Sequence, residues 1–156
     1  MNDDTPQSVD GGSDLSGWDW ERTVDDVEEI AVGDSITFSK EISDDDVRSF
    51  AVASGDTNPL HLEDEYAEQT RFGGRIAHGM LVGGLISAAL ARLPGTVVYL
   101  SQDFRFKGPV RIGDRATAEV EVLELLDGGR YRLSTQVLVD EEAVIDGEAT
   151  VLIDEE

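Results

Sequence analysis

The sequence predicts an α+β domain in which an antiparallel β-sheet wraps one long central helix. The first observation is a stretch at 79–91 that has a helical length and is apolar on nearly every face. The second is that the chain after this stretch is rich in β-forming residues that mostly alternate apolar with polar, which is typical of strands. These segments are 96–106, 115–125, 130–139 and 143–153, with turn-forming residues between them.

The predicted central helix is thin as well as apolar. Gly83, Gly84, Ala88 and Ala89 allow neighbouring backbone to approach closely, and the Pro-Gly pair at 94–95 is expected to end the helix. Because almost no side of this helix is polar, we expect protein to surround it.

The chain before this helix predicts a strand followed by a capped helix. Residues 35–42 alternate as a strand does. Ser43 and Asp46 have the spacing of a capping box, and Gly55 is a natural stop for the helix. The segment 18–32 is only partly apolar and is interpreted as a lead-in that packs on the domain.

Composition divides the chain into an acidic tail and one domain. Residues 1–17 are rich in Asp, Gly and Ser, so we expect disorder there and a single domain at 18–156. The absence of cysteine excludes disulfides, thiolate metal sites and a cysteine nucleophile. The sequence opens without a signal-peptide pattern, and the longest apolar run, at 80–91, is too short to cross a bilayer. We therefore expect a soluble cytoplasmic protein that has no membrane partner.

The charge of the chain is unusual. It has 34 acidic residues against 12 basic ones, a formal net charge of -22. Such a chain is not expected to bind nucleic acid, because nucleic acid phosphates need a basic face. The acids continue beyond the tail, at 119–124, 140–142 and 154–156. We hypothesise adaptation to a salt-rich cytoplasm, where a Debye length of about 3 Å at about 1 M salt screens the repulsion.

A second motif, "SGDTNPLH", places Asp56 five residues before His61, one of only two histidines in the chain. On a continuous helix, five residues correspond to about 500° of rotation, so the two side chains would point in different directions. Pro59 blocks that helix, so the segment is predicted to fold over as a loop in which the two side chains converge. An Asp and a His that face one water molecule form a general acid–base device.

The pair of Asp56 and His61 is also compatible with roles that involve no catalysis. Asp56 can simply cap a turn, and His61 can be a buried polar residue whose hydrogen bonds are satisfied. Metal binding is a further option, but two histidines and scattered acids at these spacings match no standard site, so no metal is predicted.

The combination of "SGDTNPLH" with "RIAHGMLVGGLIS" resembles the (R)-specific enoyl-CoA hydratases of the MaoC-like, hot-dog-fold group. The family pattern is D-x-N-P-x-H, followed by an H-G block that opens the central helix. The resemblance runs from about Ile42 to Ile153, and "YLSQDFRFKGPVRIGD" fits the strand, turn and strand after the helix. It implies a hot-dog fold with an overhanging helix-loop segment, a CoA thioester as substrate, no separate cofactor, and a homodimer whose sheets join edge to edge.

The resemblance also implies roles for particular residues. Asp56 and His61 would be the catalytic pair, and Asn58 would shape the overhanging loop. Gly79 would offer its backbone N–H to the thioester oxygen as an oxyanion hole, and Ser87 would support the pair. From the pattern alone, Ser87 fits equally well as a small polar residue on a crowded helix face.

Four further residues are assigned to substrate binding. His78 and Met80 flank Gly79 at the start of the buried helix, although His78 also fits as a polar residue resembling an N-cap. Arg105 and Lys107 belong to a local excess of positive charge, and their alternation puts them on one strand face. This face is either an ordinary solvated surface or a site that attracts the phosphates of CoA.

The function predicted from these residues is hydration of a trans-2-enoyl-CoA to an (R)-3-hydroxyacyl-CoA, a reversible hydro-lyase reaction. One alternative keeps the fold and changes the reaction, to a thioesterase or a dehydratase of another acyl-CoA. A thioesterase is expected to lack the D-x-N-P-x-H loop. The other alternative is a non-catalytic module that binds acyl-CoA.

Overall fold

The computed structural model describes residues 17–155, so the tail predicted to be disordered lies almost wholly outside the described residues. The helices are α1 (Asp44–Ser54), α2 (Pro59–Leu62), α3 (Asp64–Glu68) and α4 (Gly79–Leu90). The strands are β1 (Asp19–Arg22), β2 (Ser35–Glu41), β3 (Thr96–Gln102), β4 (Arg105–Phe106), β5 (Arg115–Leu125), β6 (Arg130–Val139) and β7 (Glu142–Asp154).

All seven strands belong to one antiparallel sheet, in the order β1-β2-β5-β6-β7-β3, with β4 also paired to β7. The sheet curves around α4, which packs against β2, β5 and β6. The buried side chains of these elements form one continuous apolar core. The predicted α+β fold, with an antiparallel sheet wrapped on a central helix, is confirmed.

The local signals before α1 and after it act as the sequence predicts. The Ser43 hydroxyl accepts a hydrogen bond from the Asp46 N–H at 3.1 Å, and the Asp46 carboxylate accepts one from the Ser43 N–H at 2.9 Å. Gly55 ends the helix in the left-handed conformation, with φ of 82°, which glycine adopts without a steric penalty. The helix therefore stops before the loop that carries Asp56.

The segment 96–106, predicted as one strand, is divided into β3 and β4. Both strands pair with β7, and the chain between them passes directly over Gly147. A side chain at Gly147 would put its Cβ 1.9 Å from the Asp103 carbonyl oxygen, so only glycine fits beneath this crossing.

The lead-in segment packs on the domain as predicted, but it contains a strand that the sequence pattern did not predict. β1 pairs with β2, and the rings of Trp18 and Trp20 lie beside the Arg92 guanidinium, at 5.6 and 5.4 Å. Arg92 follows α4 closely, so this cation–π contact fastens the lead-in to the end of the central helix.

The prediction that protein surrounds α4 on all sides is wrong for the single chain. Val82, Leu85 and Ile86 are buried under the sheet, whereas Met80 is 58% exposed and Ser87 is exposed. The sheet covers one side of the helix only, and the uncovered side is the one that runs along β3. Across residues 17–155, each helix is too short or too polar to span a bilayer.

Candidate active site

The loop after α1 has the shape that Pro59 imposes. The chain leaves α1 before Pro59, as the sequence predicts, and proline stands at the first position of a second helix, α2. The prediction of an irregular loop up to His61 is wrong in one respect, because His61 lies inside the short turn α2. Asn58 organises this corner: its side chain accepts from the Leu60 N–H at 3.0 Å, and its own N–H donates to the Asp56 carboxylate at 3.3 Å.

The structure brings Asp56 and His61 together, and it adds His78. A carboxylate oxygen of Asp56 and one ring nitrogen of each histidine all lie within 4.8 Å of one another. Two atoms that each bind one water molecule at about 2.8 Å can be separated by up to about 5.6 Å. The Asp56 and His61 side chains are therefore close enough to share a single water molecule.

Backbone carbonyl groups fix the orientation of both imidazole rings. His61 Nδ1 lies 2.7 Å from the Ile76 carbonyl oxygen, and His78 Nε2 lies 2.9 Å from the Asp56 carbonyl oxygen. A carbonyl oxygen only accepts hydrogen bonds, so each of these nitrogens carries a proton. In the neutral ring of His61, Nε2 is left with a lone pair to act as a base or to orient water.

Asp56, His61 and His78 lie close enough together to offer three ligand atoms to a metal ion. His61 and His78 have ring centroids 3.9 Å apart and planes inclined by 32°, so they are close to stacked. The remaining nitrogen of His78, Nδ1, is buried and has no hydrogen-bond partner among residues 17–155. That no metal takes part stays a prediction.

The three residues lie on a cavity of about 590 Å³. The cavity also contains Gly79 and Met80 at the start of α4, and Lys107 at its rim. Its other walls are mainly apolar, from Phe72, Ile76, Ala77, Val82, Phe106, Pro109, Val110 and Ile145. A mostly apolar cavity with a few polar groups at one point is typical of a small-molecule site.

The N-terminus of α4 opens into this cavity at Gly79. Within residues 17–155 the Gly79 N–H has no acceptor, as expected for the first residue of a helix, and the helix end is partly positive. The Phe106 ring lies against Gly79 so closely that a Cβ at this position would be 2.7 Å from the ring. Because glycine has no side chain, the Phe106 ring can pack against Gly79 while the Gly79 N–H stays open to the cavity.

Arg105 and Lys107 share a strand face, as their spacing predicts, and both bind Asp146 at 3.1 Å. The hydrogen bond from Lys107, with that from Arg105, holds the pKa of the Asp146 carboxyl below its usual value. Lys107 reaches the cavity, whereas Arg105 lies over the outer, polar surface of the sheet.

Ser87 is the predicted site residue that the structure does not bring to the pair. It lies about two turns beyond Gly79 on α4, where it lines a second groove together with residues 99–102 of β3. Its role in supporting Asp56 and His61 stays a prediction. The sequence gives no signal for Ile76, whose contribution is a backbone carbonyl that any residue type would supply.

The fold and cavity define a class: a hot-dog domain in which an aspartate and a histidine share one cavity with a helix N-terminus. The family described as "MaoC like domain" matches residues 27–143, and the chain belongs to this family. It is 49% identical over 129 residues to a 3-hydroxybutyryl-CoA dehydratase of Methylorubrum extorquens, covering 81% of this chain and 82% of the relative.

Two further similarities agree with this membership. The chain is 46% identical over 129 residues to an (R)-specific enoyl-CoA hydratase of Rhodospirillum rubrum, covering 81% of this chain and 90% of that protein. It also superposes on the crystallised (R)-hydratase of A. caviae involved in PHA biosynthesis with a TM-score of 0.79 and 37% identity, covering 81% and 99% of the two chains.

Replacement of Gly79 by alanine tests the packing at the helix N-terminus. Gly79→Ala is expected to lower the free energy of unfolding by about 1–3 kcal/mol, because the new Cβ overlaps the Phe106 ring. Phe106→Ala in the same chain should recover most of this loss. The measurement is denaturant unfolding, with Gly74→Ala as control, since a Cβ there has its nearest neighbour at an ordinary 3.5 Å. Equal stability of Gly79→Ala and the control would contradict the packing described.

Proposed function

We propose that this protein hydrates trans-2-enoyl-CoA thioesters to (R)-3-hydroxyacyl-CoA, and catalyses the reverse dehydration. The observation that carries the proposal is that Asp56, His61 and the N-terminus of α4 line one cavity. Asp56 and His61 can activate water and transfer protons, and the helix N-terminus can stabilise negative charge. The relatives' names, 3-hydroxybutyryl-CoA dehydratase and (R)-specific enoyl-CoA hydratase, describe the two directions of one reaction type.

In the proposed mechanism, one water molecule lies between the Asp56 carboxylate and Nε2 of His61. Asp56 removes a proton from the water while the water oxygen bonds to C3 of the substrate. Nε2 of His61 positions the water, accepts the proton that Asp56 has taken and passes it to C2. One O–H bond and the C2=C3 π bond are broken, one C–O and one C–H bond are formed, and Asp56 and His61 return to their starting protonation states. The Ile76 carbonyl holds the Nδ1 proton of His61 away from the cavity, which leaves Nε2 to face the water.

Negative charge develops on the thioester oxygen as water adds, and the start of α4 is placed to stabilise it. The Gly79 N–H would donate to this oxygen, supported by the partial positive charge of the helix end. Removal of one such donor costs about 3–4 kcal/mol of transition-state stabilisation in other enzymes. His78 and Met80 flank this donor and would border the bound thioester.

Lys107 is the cation that we propose contacts the phosphates of CoA, because it lines the rim of the cavity. It is 52% exposed and shares Asp146 with Arg105, so it can turn to a ligand while Asp146 keeps its ion pair with Arg105. Arg105, which lies outside the cavity, would contribute to the field around the entrance and not to direct contact.

Substitution of the acid–base pair is the test of this function. Asp56→Asn and His61→Ala are each expected to lower kcat for crotonyl-CoA hydration about 10²- to 10⁴-fold, the range for loss of a general acid or base. The assay follows the loss of absorbance of the enoyl thioester at high KCl, with chiral analysis of the product. Asp45→Asn is the matched control, since Asp45 is an exposed acid in the first turn of α1. Rates near wild type in either site variant would disprove the assignment.

The same assay separates the alternative functions. A thioesterase would release free CoA thiol, and a non-catalytic module would bind the thioester without changing either signal. Loss of the enoyl absorbance without thiol release identifies hydration.

We further propose that a second copy of this chain covers the exposed side of α4. β3 is the end strand of the sheet, so the backbone groups that face outward from residues 97–102 have no neighbouring strand within the described part of the chain. Val98, Tyr99 and Leu100 on this strand are 39–48% exposed, next to the exposed Met80 of α4. Pairing of two β3 strands would extend the sheet and bury both apolar surfaces.

A charge on this edge should prevent assembly. Leu100→Asp is expected to convert a dimer into a monomer at micromolar concentration, because a carboxylate would be buried without a partner. Light scattering after gel filtration at high KCl measures the mass. Val52→Asp on α1 is the control, since Val52 is 85% exposed on a different surface. A Leu100→Asp protein that keeps the mass of a dimer would contradict the proposed interface.

We also propose that the protein works in a salt-rich cytoplasm. With a net charge of -22, ion pairs can neutralise only a minority of the acidic groups. The remaining carboxylates repel one another, and salt at about 1 M reduces the range of this repulsion to about 3 Å.

The thermal midpoint should therefore rise steeply as KCl increases from millimolar to molar, and the protein should unfold on desalting. Scanning calorimetry across a KCl series measures it, and a midpoint that does not depend on KCl would disprove the salt adaptation. A parallel series in sucrose, which adds no ions, separates charge screening from general solute effects.

A further inference from the structure

Arg75 is a nearly buried cation that lies outside the catalytic cavity and contacts the backbone of His61. Its side chain is 11% exposed, and Nε donates to the His61 carbonyl oxygen at 2.7 Å. A terminal nitrogen of the same guanidinium binds the Asp44 carboxylate at 2.5 Å. The side chain thus joins the first residue of α1 to the helical turn that carries His61.

The His61 carbonyl needs such a donor because α2 is only four residues long. The last carbonyl groups of any helix have no N–H partner within it, and in α2 the Glu63 N–H goes to Pro59. A guanidinium group has several N–H groups in a rigid plane, so it can bind the carbonyl and the carboxylate at the same time. A single-turn helix, which has little stability of its own, gains an external anchor in this way.

The same short segment also holds the imidazole ring of His61. The carbonyl oxygen of Ile76, the residue after Arg75, accepts a hydrogen bond from Nδ1–H of His61 at 2.7 Å. His61 is therefore held at two points, its backbone carbonyl and its ring, by two consecutive residues. Movement of the backbone of His61 relative to this segment would change both the position of Nε2 and the hydrogen bond that selects the tautomer.

We propose that Arg75 is a positioning residue for His61 and that Asp44 holds Arg75 in place. The proposal rests on the catalytic role of His61 given above. The hydrogen bond from Arg75, followed by that from Arg48, lowers the pKa of Asp44, so the carboxylate stays charged at neutral pH. Because that folded-state pKa is depressed, the contact with Arg75 persists above the ordinary carboxyl pKa and is lost only as pH falls through the lowered value.

The central variant is Arg75→Met, which keeps most of the apolar stem and removes every donor. We expect kcat for crotonyl-CoA to fall about 10- to 100-fold, the effect of misplacing a reacting group by about 1 Å. The KM should change less than about threefold, because Arg75 does not line the cavity. Arg75→Lys, which keeps the charge and one donor, should recover part of kcat. An Arg75→Met protein with wild-type kcat overturns the proposal, and so does one that loses activity only through KM.

A second readout does not depend on activity. The chain has only two histidines, so ¹⁵N NMR of the rings contains two sets of signals. In the wild-type protein, the neutral ring of His61 should carry its proton on Nδ1 and that of His78 on Nε2. Arg75→Met should shift His61 toward a mixture of tautomers and leave His78 unchanged. A His61 spectrum identical to wild type in this variant overturns the proposal even if kcat falls.

Two further variants keep the test informative if Arg75→Met does not fold. Asp44→Asn removes the nearer of the two carboxylates that pair with Arg75, since Asp64 is 3.9 Å from the guanidinium. It should give a smaller change of the same kind in kcat and in the His61 signal. Arg48→Gln is the matched control, because Arg48 binds the same Asp44 carboxylate at 3.0 Å but is largely exposed and does not contact His61. Equal effects of Asp44→Asn and Arg48→Gln would overturn the proposal. A wild-type protein without hydratase activity would disprove the proposed function, while the NMR comparison would still decide whether Arg75 holds His61.

Discussion

The site depends on the hydrogen bonds that the segment before α4 makes to the loop after α1. From this segment, Ile76 binds the ring of His61, and His78 binds the backbone of Asp56. The segment is itself fastened to the domain, since the Ala77 N–H donates to the Val110 carbonyl at 2.7 Å. A loop and a single helical turn have too little internal bonding to hold two side chains at a fixed distance. Their geometry is therefore set by the segment that also begins the central helix.

Two glycines on one face of α4 let aromatic rings pack directly against the helix backbone. Gly79 and Gly83 are four residues apart, and the rings of Phe106 and Phe104 lie against them. The absence of two side chains makes room for two aromatic rings at the wall of the core. At Gly79 it also leaves a helical N–H open to the cavity, so the residue that lets the Phe106 ring pack also leaves that N–H accessible.

The exposed side of α4 and the exposed edge of the sheet have a common origin. A seven-stranded sheet that ends at β3 does not close around the helix, so an apolar strip on α4 and the backbone groups of β3 are left together. Tyr99 on this strand is still 39% exposed, and partial burial of its phenol beside that strip raises its pKa to about 12. Ser87 and Gly84 line the same groove, which separates them from Asp56 and His61.

The sequence alone determined the features that depend on neighbours along the chain. The capping box at Ser43, the stop at Gly55, the break at Pro59 and the alternation of the strands all follow from interactions within a few residues. Tertiary structure decided which nitrogen of His61 faces the cavity, because that choice rests on a carbonyl 15 residues away. It also decided that Arg75 lies beside the site, because its partners come from α1 and α2. Such contacts join side chains to backbone groups distant in sequence, and a backbone carbonyl leaves no trace in residue type.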